Sequence, residues 1–417
     1  PGSCDYDVER QSYTITGGGA NIWGENDSFH FVWKRLTGDF ILTARASFVG
    51  AGAHPHRKLG WIARAGSAAD AAHACAAVHG DGLVALQFRR APGEPTEEVR
   101  MPLHHADVIQ LERKGAIFIM SAARFGEPFM SVQVAEFELG EPIDAGLFVC
   151  SHAENRAETA TFDNVRIVTP AGAGFNRQTD PFGSYMEILD LASGLRRIVY
   201  SADEVFEAPN WTRDGSALIY NSGGRLYRFD LAAGQPAPID TGDVVHNNND
   251  HVISFDGTML AISSHDVQTR ASIIYTVPLQ GGQPARVTPH GPSYLHGWSP
   301  DGNYLVYTGL RDGDYDIYRI AVGGGAETRL TTAPGLDDGR NIPPMARIFT
   351  STRCGAASCR SGVCARMAAT RNNSPTTNIT TGSRIFRLMA AASYFSAIWL
   401  AKSRQAIIRR RNGYICA

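Results

Sequence analysis

The pair Asp-Gly recurs at 214–215, 256–257 and 301–302, at spacings of 42 and 45 residues. Each time an apolar run follows it (ALIY, MLAI, YLVY), and then a second strand-like segment such as RLYRFDL or DIYRIAV and a Gly-rich turn. Asp-Gly favours a tight turn because glycine takes positive φ without steric cost. A repeat of about 40–45 residues holding several short strands is built as the blade of a β-propeller. One such unit cannot bury its apolar strand alone, and stacking on its neighbours does so. The spacing therefore predicts three blades, with YMEILDLASGLRRIVYS (185–201) as an unmatched half-repeat before the first.

The next Asp-Gly is due near position 345, where the chain reads PPMAR. If Gly339–Ala346 is encoded GGC CGG AAT ATT CCC CCG ATG GCC, starting one base earlier gives P-E-Y-S-P-D-G, the missing repeat opening. In the same way IFTSTRCG (348–355) converts to Y-I-Y-F-N-S-V-R, which aligns with YLVYTGLR (304–311). The Met-Ala pair at 389–390 falls 44 residues after the one at 345–346 and converts to Asp-Gly in the sequence Y-N-N-W-F-P-H-I-S-P-D-G. Residues 340–417 thus read as an out-of-frame translation, shifted near Gly339–Arg340, with no native domain. The parent propeller then has about six blades.

Charge and cysteine usage change at the same place. Residues 340–417 hold 13 Lys and Arg and no Asp or Glu, leaving 26 basic against 41 acidic groups before them. An acid-free basic tail ordinarily points to nucleic acid or membrane, but shifted codons explain this one, and neither partner is expected. Cys354, Cys359 and Cys364 lack the paired C-x2-C spacing of zinc sites. The apolar stretch 385–401 is interrupted by Arg387 and is not expected to span a membrane.

Upstream, residues 13–168 are short alternating segments separated by Gly, Asp and Pro, among them SFHFVWKRL, DFILTARASFV, KLGWIARAG and ETATFDNVRIV. That pattern predicts an antiparallel sandwich or barrel. Residues 170–183 (PAGAGFNRQTDPFG) are a Pro/Gly-rich linker. The expected organisation is all-β: a sandwich over 1–169, a linker over 170–183, a partial propeller over 184–339 and the shifted tail beyond.

The stretches GGGANIWGENDSFHFVWKRLTGDF, AAVHGDGLVALQFRR and GLFVCSHAENRAETATFDNVRI resemble the concanavalin/laminin-G-like jelly-roll domains. The repeat around WSPDGNYLVY resembles the TolB-type, WD40-like propeller repeat. These resemblances imply a non-catalytic binding or scaffolding protein, contacting glycan or an envelope protein, in the periplasm or outside the cell, with no cofactor. The chain opens on Pro1 and shows no signal peptide, so the cytoplasm stays open. In a glycan binder, Trp23, Trp33 and Trp61 are candidates to stack on sugar faces; core aromatics are the alternative for each.

The competing reading is a polysaccharide-acting enzyme, since the propeller resemblance extends to oligogalacturonate lyases with a metal in the channel. Its candidates lie in VVHNNNDHVISFDG (244–257) and one blade later: His246, Asn249, Asp250, His251 and His296, with His246 and His251 as metal ligands. Polar caps on blade strands would account for the same residues. The sandwich has no E-x-D-x-E run for glycoside hydrolysis. A third reading, the propeller of a truncated peptidase, finds no G-x-S-x-G elbow in the chain.

Overall fold

The computed structural model describes residues 2–176, 180, 182–339, 349–355, 358–364 and 404–410. The chain divides into two compact units, one running to Asp180 with Leu189–Arg197, the other holding Pro181–Ile188 and the chain from Ile198. The pairings within the two large sheets, the short hairpin, the three four-stranded sheets and the sheet within 336–364 are antiparallel, and the described architecture is all-β.

The first unit holds a seven-stranded and a six-stranded sheet. The seven-stranded sheet runs Ser3–Asp7, Ser12–Gly19, Ala153–Val168, Phe40–Val49, Val108–Lys114, Ile117–Ala123, Met130–Val134. The six-stranded sheet runs Glu97–His104, Leu83–Arg89, His73–His79, Lys58–Arg64, Ile143–Cys150, His30–Leu36. Alternation along each strand sends one set of side chains into a common core. Phe40, Leu42 and Ala44 from the first sheet share one buried cluster with Leu59, Trp61, Ala63, Ala74, Ala76 and Leu86 from the second.

The opposite set on the six-stranded sheet is buried as well. A short hairpin, Asn21–Trp23 with Asn26–Ser28, places Ile22 against Ile62, Cys75, Ala77, Phe148 and Cys150. Strands Lys58–Arg64 and His73–His79 are consequently buried at every position. That is why the charged ends of KLGWIAR lie inside the protein.

In the second unit three four-stranded sheets follow in chain order. They are Phe206–Trp211, Ala217–Ser222, Arg225–Asp230, Gln235–Ile239; then Asn247–Ile253, Met259–His265, Ser272–Pro278, Ala285–Arg286; then Ser293–Trp298, Tyr304–Arg311, Asp314–Ala321, Thr328–Arg329. The repeated turn has one geometry throughout. Thr212, Ser254 and Ser299 donate their hydroxyls to Asp214, Asp256 and Asp301 at 2.6, 2.6 and 2.5 Å. Those carboxylates also accept the backbone N–H two residues on, at 3.1, 3.0 and 3.0 Å. Gly215, Gly257 and Gly302 follow at φ 70°, 77° and 73°. Hydrogen bonds from the hydroxyls and amides hold all three aspartates below the usual carboxylate range.

The apolar runs pack sheet against sheet, as the repeat requires. Ile219 and Leu226 share a cluster with Ile253, Leu260 and Ile262. Ala261 and Ile274 share the next with Leu295, Trp298, Leu305 and Tyr307. The half-repeat forms the pair Ser184–Asp190 and Arg196–Ala202, with Arg404–Arg410 along the other edge of Ser184–Asp190. Leu336–Gly339 pairs with Phe349–Gly355, which pairs with Ser358–Cys364 and sets Cys354 opposite Cys359. Most of the tail assigned to shifted codons, including 365–403 and Met389–Ala390, lies outside the described residues.

Candidate functional site

Two groups of residues carry the chemistry foreseen in the sequence, one in each unit.

In the second unit the stretch 246–251 alternates across strand Asn247–Ile253. His246 and Asn249 are exposed, whereas Asn247 and His251 are buried. Asn247 donates its side-chain amide to the carbonyls of Gly224 and Val244 at 2.8 and 3.1 Å, tying its strand to the preceding sheet. His251 does similar work, with Nε2 3.3 Å from the carbonyl of Ile219. Burial depresses its pKa to about 4, so the ring is neutral at ordinary pH. His251 is thus buried against the preceding sheet, whereas His246 is exposed. As they stand, no three His, Cys, Asp or Glu side chains among the described residues are arranged to hold a metal ion.

Asp250 and His296 do come together, around a residue that sequence reading did not single out. His296 Nε2 lies 3.0 Å from Asp338 Oδ1 and 2.8 Å from Thr308 Oγ1. Thr308 in turn donates to Asp338 Oδ1 at 3.2 Å. Burial pushes the Asp250 carboxyl up to about 6, with the Asp338 charge adding to the rise and His296 opposing it. The group presents two carboxyl groups, an imidazole and a hydroxyl. That suits polar hydrogen bonding. Asp338 was hard to foresee because it stands at the edge of the shifted segment, where the repeat pattern gives out.

In the first unit the three tryptophans separate. Trp61 is 1 % exposed and belongs to the core between the sheets, so it offers no face to a sugar. Trp33 is 49 % and Trp23 43 % exposed. Trp33 lies on the edge strand His30–Leu36, opposite Gly146, and stacks on Phe31 with ring centroids 6.3 Å apart and planes 23° from parallel. The Arg35 guanidinium sits 5.6 Å from its ring centroid and pairs with Asp144 at 3.0 Å. Trp23 is carried by the hairpin, with Lys58 Nζ 5.7 Å from its ring. Lys58 is itself buried and donates to the Ile22 carbonyl at 2.9 Å and to Gln87 at 3.2 Å. Both exposed indoles thus have an apolar face and a cation beside it, which suits stacking on a sugar ring.

No protein-family model matches the chain. An uncharacterized protein of Agrobacterium fabrum is 46 % identical over 184 residues, which is 42 % of this chain and 62 % of the relative. The chain thus spans less than two thirds of that relative's length. A solved structure from Agrobacterium tumefaciens assigned to TolB is 38 % identical, covering 45 % of this chain and 71 % of the other at a TM-score of 0.41. TolB from Acinetobacter baumannii is 15 % identical, covering 61 % and 64 % at a TM-score of 0.37.

Proposed function

We propose that this chain is a non-catalytic binding or scaffolding protein, with a jelly-roll sandwich that contacts glycan of the cell envelope and a propeller that presents a second surface. The observation that carries the glycan reading is the exposure of Trp33 and Trp23, each flanked by a cation. Large aromatics of that kind cost free energy in water, and pairing with the apolar face of a pyranose recovers it. The resemblance of the repeat to TolB-type propellers supports the binding reading over the enzymatic ones, and with it we propose a setting in the periplasm or outside the cell. The Asp250–His296–Asp338 group is assigned to polar contacts of the propeller part. The four-stranded sheets of the second unit are read as blades of a ring that residues 340–417, in their shifted frame, do not complete.

Retention of the protein in gels or columns carrying envelope polysaccharide tests this. Trp33→Ala and Trp23→Ala should each weaken retention by roughly threefold to tenfold, which corresponds to about 0.7–1.4 kcal/mol. Thermal unfolding of the Trp33 variant should change little, because half of the ring already faces water. Retention that is absent, or that survives both substitutions, overturns the glycan reading and leaves an envelope protein as the partner.

A further inference from the structure

Away from the exposed tryptophans, four imidazoles gather at one end of the first unit, and the proposed function uses none of them. His54 and His56 come from the loop between strands Phe40–Val49 and Lys58–Arg64, His152 from the turn before Ala153–Val168, and His79 from the end of His73–His79. Ring centroids are 4.2 Å apart for His54–His152, 5.5 Å for His54–His56, 5.7 Å for His56–His152 and 6.4 Å for His56–His79.

We propose that His54, His56 and His152 form an induced site for a borderline divalent transition-metal ion of the zinc type. A zinc ion sits about 2.0–2.1 Å from an imidazole nitrogen, so it lies about 3.2 Å from the ring centroid, and three rings in tetrahedral array have centroids about 5 Å apart. The three observed separations straddle that figure. The site is induced because the donors do not converge as they stand. His54 and His152 lie nearly face to face, 31° from parallel, and must part and turn. His54 must also give up the bond that its Nδ1 accepts from the His56 amide at 3.0 Å.

Three further observations point to a ligand. His152 Nδ1 is buried with no hydrogen-bond partner, an unmet polar atom that an ion or its own N–H partner would satisfy. The same residue holds φ 55° without being glycine, a conformation that persists where the surroundings impose it. Asp81 places Oδ2 3.5 Å from His56 Nδ1. A carboxylate on one ring nitrogen keeps the proton there and leaves the Nε2 lone pair for a metal.

The loop is also held in place. Ala53 N and Arg57 Nη1 donate to the two oxygens of Glu158 at 2.7 and 2.6 Å, and Asp81 N donates to the Pro55 carbonyl at 2.7 Å. The chain entropy lost on binding an ion is correspondingly small. An all-nitrogen set favours zinc, nickel or copper over calcium and magnesium, which take oxygen ligands.

The test uses the full chain, kept reduced and stripped of metal, titrated with Co2+ as a coloured stand-in for zinc. Thiolate ligation by the chain's cysteines adds a near-ultraviolet charge-transfer band, and imidazole ligation does not. Visible Co2+ bands without that component are expected, with affinity reduced at least tenfold in the H54A/H152A double variant. Asp81→Asn, which alters no ligand, should weaken binding by about 10–100-fold. Because the double variant could fail to fold, the unaltered chain supplies a second readout: Co2+ should slow amide exchange in 51–57 and 151–153 together. Unchanged exchange in both loops, or equal Co2+ affinity in the double variant, overturns the site.

Discussion

Asp27→Ala is expected to unfold the first unit, or to lower its stability by about 3–5 kcal/mol, the cost of removing one partner from a buried ion pair. Asp27 stands on the short hairpin with no exposed side-chain surface, between two guanidiniums that are equally enclosed. Arg89 grips it as a fork, Nη2 to Oδ1 at 2.7 Å and Nη1 to Oδ2 at 2.8 Å, and Arg64 Nη1 donates to Oδ2. The remaining donors of Arg89 are taken by the carbonyls of Glu94, Ala71 and Gly24. Without the carboxylate, two positive charges stay buried with only neutral acceptors, carbonyls and the Thr96 hydroxyl, to face. A domain's whole margin is about 5–15 kcal/mol, so the loss is a large share of it. Beside them His73 is fully buried, and burial depresses its pKa to about 3, so it stays neutral and adds no further positive charge. Urea unfolding of D27A followed by tryptophan fluorescence checks the prediction. A midpoint within error of the unaltered protein would show that the hairpin is not fastened by this network.

Gly60→Ala is expected to be nearly as damaging, by about 3 kcal/mol or more, because backbone strain and overpacking add. Gly60 sits in the middle of the six-stranded sheet, opposite Ala77 on one side and Phe148 on the other. Its φ is 152°, and a Cβ there would stand 1.9 Å from the Ala76 carbonyl oxygen. That oxygen is backbone in a strand paired on both sides and has nowhere to go. Gly146 makes a useful contrast: a Cβ there would meet the Val32 carbonyl oxygen at 2.0 Å, but Val32 is on an edge strand. Gly146→Ala should therefore cost less, by letting His30–Leu36 peel back, and should disturb Trp33 in doing so. Equal midpoints for G60A and the unaltered chain would contradict the close approach.

The legible part of this chain was its local chemistry. Asp214, Asp256 and Asp301 bond to groups within two residues of themselves, so the turn, the following strand and their period could be read along the sequence. The apolar runs behind them had to find neighbouring sheets, and they do. What joins distant segments was hidden. Asp27 meets partners 37 and 62 residues away, and nothing in GENDSF marks its charge as buried. For Trp61, alternation in KLGWIAR gives two faces without saying that both are covered. Trp61 enters the core, while Lys58 and Arg64 go under the hairpin. The imidazole cluster was hidden for the same reason, since only His54 and His56 are near each other in the chain.

The tail rests on a different kind of inference. We propose one common explanation for its acid-free composition, its cysteines and the Met-Ala pairs at 345–346 and 389–390: a change of reading frame near Gly339–Arg340. On that proposal, a propeller left open at that point would expose strand edges and an inter-blade apolar face that closure would cover. The measurement that tests this most directly is the nucleotide sequence from codon 330 past codon 417, translated in all three frames. The account predicts a neighbouring frame that stays open and continues the propeller with S-P-D-G turns at the codons of Met345–Ala346 and Met389–Ala390. A neighbouring frame broken by stops, with no repeat in it, would contradict the account and make residues 340–417 a genuine basic, cysteine-bearing segment.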